Sequence, residues 1–181
     1  TSDTERFPTA TVNSGGAGDA WTNPNNVQAD DSSVATVAGT FSESLRCTSY
    51  GFSISGAVVV EGIEVRVQAR RDSGVNYSLF AQLRQSGANV GTEKSTTVTT
   101  DTLTNYTFGG ATDLWSASLS NAQLSDSSFG VAVRTTSGTT ENKAIDVVGI
   151  KIYTDAQDFL YIETDQIASV RINGATDDKL K

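Results

Sequence analysis

The stretch Ile63-Glu64-Val65-Arg66-Val67-Gln68-Ala69-Arg70 decides the fold. Ile63, Val65, Val67 and Ala69 occupy one set of alternate positions, and Glu64, Arg66, Gln68 and Arg70 the other. Side chains of an extended chain point to opposite faces with a period of two, so this is a strand with one dry and one wet face. Helical spacing would put Glu64 and Arg66 among the apolar residues. The segment 75–84 repeats the alternation, with Val75, Tyr77, Leu79, Ala81 and Leu83 inward and Phe80 pointing outward against the pattern. Arg71-Asp72-Ser73-Gly74 between them is turn chemistry, and the two strands are expected to form a hairpin.

Working outward, the same period marks shorter strands at 33–37, 45–52, 95–100, 104–108, 128–134 and 144–153. Thr-rich strands suit a pleated surface because β-branched side chains are stiff there. Gly-containing turns separate most of them, as in Gln85-Ser86-Gly87-Ala88-Asn89, Phe108-Gly109-Gly110 and Ser137-Gly138. One helical turn is expected at Ser120-Asn121-Ala122-Gln123, where Ser caps and Gln three residues later closes a capping box. Many short strands with regular turns predict an all-β fold, an antiparallel β-sandwich of jelly-roll type, over residues 1–154. Residues 155–181 are expected to add a C-terminal hairpin, with strands at 159–162 and 168–172 carrying Phe159, Tyr161, Val170 and Ile172. An isolated hairpin is marginal in water, so this one needs the sandwich, a neighbouring subunit or further chain to pack on.

Composition narrows the function. The 181 residues hold 13 Lys and Arg against 21 Asp and Glu, a net charge of −8, with no His and one Cys. No His-based triad, His-ligated metal, internal disulfide or thiolate zinc site is available. An acidic chain lacks the basic face that nucleic acid requires. The longest apolar run, Ala57-Val58-Val59-Val60, is too short to cross a bilayer, and no secretory signal pattern is seen. Neither nucleic acid nor membrane is therefore expected as a partner. Thr1 in first place is consistent with removal of an initiator Met, and the sequence leaves open whether the chain continues past Lys181.

Candidate chemistry is sparse. No carboxylate spacing implies a glycosidase pair, so no catalytic residue is assigned. Asp30-Asp31 and Asp113 are expected to be turn residues rather than calcium ligands, and no cofactor or metal is expected. Asp146 lies inside an apolar strand and is expected either to face outward or to be a buried acid bonded to backbone. Cys47, between Leu45 and Ser49, reads as an inert buried thiol. Trp21 and Trp115 are expected to close the ends of the core; exposed, they would join Tyr50 as a platform for sugar rings. Arg66, Arg70, Arg71 and Arg84 would share the wet face of the expected hairpin, read first as an ordinary solvated face and, as the alternative, as a basic stripe for an acidic partner or a glycan. Asn76-Tyr77-Ser78 and Asn105-Tyr106-Thr107 match glycosylation sequons, as Ser/Thr-rich chains do by chance.

The order of short motifs carries a resemblance. It runs through Trp21-Thr22-Asn23-Pro24-Asn25-Asn26, Tyr50-Gly51-Phe52-Ser53-Ile54, Gly62-Ile63-Glu64-Val65-Arg66-Val67, Tyr106-Thr107-Phe108-Gly109-Gly110, Asp113-Leu114-Trp115, Ser128-Phe129-Gly130-Val131 and Ile150-Lys151-Ile152-Tyr153. Over about residues 6–154 this resembles a β-sandwich domain of small virion structural proteins of tailed bacteriophages. The resemblance implies a non-enzymatic protein on the particle surface, assembled in the host cytoplasm. Capsid decoration or a minor capsid role is the preferred position, with a minor tail or fibre-associated role as the alternative. It implies contacts with major capsid or tail proteins and a homo-oligomer, with a trimer at three-fold positions as one form. A carbohydrate-binding sandwich that holds surface glycans is the competing reading.

Overall fold

The computed structural model describes residues 3–72 and 74–155. Nine strands form two antiparallel sheets: β1 (Ala10–Asn13), β2 (Ala35–Val37), β3 (Leu45–Thr48), β4 (Val60–Arg71), β5 (Tyr77–Gln85), β6 (Ala88–Val98), β7 (Thr104–Gly109), β8 (Gly130–Thr136) and β9 (Lys143–Thr154). One sheet has the order β1-β3-β8-β5-β6 and the other β2-β9-β4-β7. The predicted β-sandwich is thus the observed fold. The residues of the expected C-terminal hairpin, Phe159, Tyr161, Val170 and Ile172 included, lie outside the described residues.

Each sheet presents its period-two apolar face to the other. Ile63, Val65, Val67 and Ala69 of β4 are buried, as are Tyr77, Leu79, Ala81 and Leu83 of β5. Val131 and Val133 of β8 and Ile145, Val148, Ile150 and Ile152 of β9 complete the layer. Burying a large aliphatic side chain contributes roughly 1.5–3 kcal/mol, so this interdigitated layer is the main source of stability.

The expected β4–β5 hairpin does not form. β4 pairs with β7 and β9, whereas β5 pairs with β6 and β8, so the chain after Arg71 crosses from one sheet to the other. A polar turn permits either a hairpin or a crossing; which one forms depends on which partners bury the alternate faces. The true hairpin is β5–β6, closed by Ser86 and Gly87 with φ of 49° and 81°. Two positive φ values in a two-residue loop match the right-handed twist of the flanking strands.

Helix α1 (Asn121–Leu124) carries the predicted capping box: the Ser120 hydroxyl accepts from the Gln123 backbone N–H, and the Ser120 N–H donates to Gln123 Oε1. Strand β1 and a 3-10 turn at Pro24–Val27 were not signalled by the pattern. The expected strand at 45–52 ends early, at Thr48, where Ser49 turns to φ 61°.

Candidate functional site

The three candidate aromatic residues, Trp21, Tyr50 and Trp115, go to the core. Trp21 is 2% exposed and Trp115 is 1% exposed, so neither offers a ring to a ligand. The Trp21 indole N–H donates to the Glu43 carbonyl at 3.0 Å. The Trp115 indole N–H donates to the Ile63 carbonyl at 2.8 Å, and Lys94 Nζ stands 5.1 Å from the ring centre. Gly109, at φ 75°, makes room for that indole: a Cβ there would come within 2.5 Å of Nε1. Tyr50 is also buried; its hydroxyl donates to the Val148 carbonyl, and its ring stacks on Phe52 with centroids 6.1 Å apart. The expected core-closing role of both Trp holds. A sugar platform of Trp21, Tyr50 and Trp115 does not exist, because a buried indole or phenol has no free face to stack on.

Cys47 is fully buried, and burial pushes its thiol far above the ordinary range, as expected of an inert cysteine.

The basic stripe is divided. Because β4 and β5 belong to different sheets, Arg66, Arg70 and Arg71 cannot share a face with Arg84. Arg66 donates two hydrogen bonds to Glu5, at 2.7 and 2.8 Å, and lies 3.1 Å from Asp30. Its guanidinium is raised above the ordinary pKa, first by the Glu5 hydrogen bond. Arg70 pairs with Asp72 at 3.0 Å and Arg71 with Asp101 at 2.7 Å. These three cations are structural ties.

Arg84 differs. It is 6% exposed, and its guanidinium donates to Asn89 Oδ1 and the Gly87 carbonyl, which pins the β5–β6 turn. Burial pushes its pKa down, and Arg46 across the sheet pushes it further. Arg46 was not singled out by the sequence, since it sits between Leu45 and Cys47 as an ordinary outward residue of a short strand.

Asp146 falls at a break in register, where Gln68 faces Val147 but Ala69 faces Ile145. The extra residue of a β-bulge re-aims its side chain. Asp146 is fully buried beneath the loop that bridges Gln28 to Val147. Neither oxygen makes a hydrogen bond of ordinary geometry. Burial raises its pKa, the backbone N–H groups of Ser32 and Asp31 oppose the rise, and the charges of Asp30 and Asp31 add to it. Among the described residues, no three His, Cys, Asp or Glu side chains group as a metal site requires.

A cavity of about 310 Å³ is a groove lined mainly by apolar side chains, among them Val58, Val59, Val60, Ile63, Leu114, Leu119 and Leu124. Val59 is 57% exposed and Leu114 41%. Asn121 holds one wall by donating to the Ser55 and Val58 carbonyls at 2.7 and 2.8 Å.

No family model matches the sequence, and no curated protein matches it. Solved structures similar to this chain include the CBM32 of AlyQ in complex with 4,5-unsaturated mannuronic acid, at 14% identity and a TM-score of 0.45, covering 82% of this chain and 98% of that one. Another is the CBM1 of BiXyn10A without ligand, at 12% identity and a TM-score of 0.40, covering 80% and 97%. A third is the Clostridium thermocellum xylanase Xyn10B CBM22-1-GH10 modules complexed with xylohexaose, at 11% identity and a TM-score of 0.38; the match covers 71% of this chain and 22% of that protein.

Proposed function

We propose that this chain is a non-catalytic structural protein of a tailed-phage virion, placed on the particle surface as a decoration or minor capsid component. The groove between the 58–60 segment and Leu114 is the observation that carries this reading. Its two exposed aliphatic side chains, Val59 and Leu114, stand beside the cavity on a framework that buries both Trp residues. Exposed apolar surface beside a cavity is what a protein–protein contact requires. The occupant is a neighbouring copy on the particle, in keeping with the oligomer that the resemblance implies. Light scattering after gel filtration tests it. The expected result is a stable oligomer, a trimer being one form, that Leu114→Glu reduces to monomer without loss of fold. A wild-type chain that stays monomeric up to high concentration overturns this contact.

A second reading, glycan binding, is favoured by a different surface. The outer face of the five-stranded sheet carries Arg46, Gln82, Arg84 and Asn89, with Asn89 Nδ2 donating to Gln82 Oε1 at 2.8 Å. Amides and guanidinium groups are donors of the kind that hold sugar hydroxyls and carboxylates.

A further inference from the structure

We propose that the outer face of the five-stranded sheet holds an anion site, built on Arg46 and Arg84, that takes the carboxylate of a uronic acid residue in a glycan. The inference rests on the glycan reading and adds the ligand's chemical class.

Strand register sets the geometry. Arg46 of β3 lies level with Ala132 of β8, and Arg84 of β5 lies level with Gly130. Strand spacing then puts the two Cα atoms about 12 Å apart across β8. Between them the floor is Ala132 and Gly130, which carry no large side chain, and the Arg46 charge is near enough to act on Arg84. Neither arginine has a carboxylate partner among the described residues, although every ion pair formed there takes an arginine or a lysine from elsewhere. The Nε of Arg46 is buried with no hydrogen-bond acceptor. Arg84 keeps donors beyond the two that hold the 87–89 turn. Glu93, the acid on this face, is occupied by Arg134 through two hydrogen bonds at 2.8 and 2.6 Å.

A buried guanidinium beside a half-buried one, with no counter-charge, is costly to fold, and the cost is relieved by an anion. In a chain of net charge −8, such a pair stands out against the acid surplus. A planar carboxylate suits the flat guanidinium forks. The surroundings favour a sugar acid over a peptide. Gln82 and Asn89 border the pair with amides, and Val12, 57% exposed and opposite Arg46, offers aliphatic surface to ring C–H groups.

The test uses the full chain, titrated by calorimetry with trigalacturonate, its methyl ester and sodium sulfate. Trigalacturonate is expected to bind about tenfold or more tightly than the ester, since one charge-assisted contact is at stake. Arg46→Gln, a mild change at a half-buried position, is expected to remove that preference. Arg46→Glu supplies the missing carboxylate from within the chain and is expected to abolish uronate binding while raising the melting temperature. Equal binding of acid and ester, unchanged by Arg46→Gln, overturns the site but leaves glycan binding standing elsewhere on the molecule. Binding of neither sugar overturns both. Sulfate matching trigalacturonate overturns the uronate assignment, leaving a plain anion site.

Discussion

The two outer faces of the sandwich treat their charges in opposite ways. On the four-stranded sheet, Arg66 is enclosed by Glu5 and Asp30, and the buried Asp146 lies near Asp30 and Asp31, so acids outnumber the cation they surround. On the five-stranded sheet, Arg46 and Arg84 face each other without an acid, and Glu93 is bound to Arg134. The first face is partly covered: Glu5, from a segment that pairs with the edge of β9 through Arg6 and Ile150, and Asp30 both reach over it to Arg66. The second face has no such cover among the described residues. Covered charge serves to fasten a segment, while uncovered and uncompensated charge is poised for a ligand. The sum of −8 conceals this division.

The largest effect should come from removing the central cation of the covered face. Arg66→Ala leaves Glu5 and Asp30 without a partner beside an already buried acid. Breaking a partly buried, doubly hydrogen-bonded pair is expected to cost about 2 kcal/mol, or about 6 °C in melting temperature for a domain of this size. The matching change on the other face, Arg46→Ala, is expected to leave stability within about 0.5 kcal/mol of wild type or raise it, because it relieves like-charge repulsion. Paired thermal melts at neutral pH check the contrast. Equal losses for the two variants would break the comparison.

How much of this was legible in the sequence follows from what period two encodes. The alternation in 63–70 identified which side chains of β4 are dry, and the structure agrees for every one of them. It could not say which sheet β5 would join, because facing residues read the same in a hairpin as in two packed sheets. The basic stripe failed for that reason: Arg66 and Arg84 both point away from the core, but from opposite sheets. β1 escaped notice because its one large apolar residue, Val12, points to solvent, and the strand is held by backbone pairing to β3. Trp21 and Trp115 were legible as core caps because each is flanked by turn residues. Arg46 was not legible as a site residue, since its significance lies in a neighbour two strands away and in the missing acid between them.

A middle-sized effect is expected at Asp146. Its folded pKa is raised, so the carboxylate form is disfavoured in the fold relative to the unfolded chain. That penalty is full above the folded pKa and disappears once pH falls below the unfolded value near 4. Asp146→Asn removes the charge at all pH values. It is expected to stabilise the protein at pH 7 by about 1 kcal/mol, within the range for a poorly satisfied buried polar group. The gain should shrink as pH falls through the folded pKa and vanish by about pH 3, where the acid is neutral in both states. Denaturant unfolding at about pH 7 and about pH 3 measures both. A gain that persists unchanged at low pH would mean that packing, not charge, governs the site, and the acid surplus on this face would lose its main support.

The smallest effect sharpens the comparison from the uncovered side. Glu93 and Arg134 form a surface pair, with each side chain 33% exposed, and such pairs contribute about 0–1 kcal/mol. Arg134 keeps its guanidinium 3.9 Å from the centre of the Phe80 ring, so Glu93→Gln is expected to cost no more than about 0.5 kcal/mol. Its consequence for binding is the more informative quantity. The change frees a third guanidinium, two residues along β8 from the position level with Arg46. Strand geometry places those Cα atoms about 8 Å apart, close to the Debye length of about 8 Å at physiological salt. The added attraction for an oligo-uronate should therefore be modest at physiological ionic strength and grow as salt is lowered. Titrations of Glu93→Gln with trigalacturonate at two salt concentrations measure it. A tightening that follows the salt would show that this face lacks only acids to match its arginines; no change at either concentration would show that Arg134 stays with Phe80 and that the site is confined to Arg46 and Arg84.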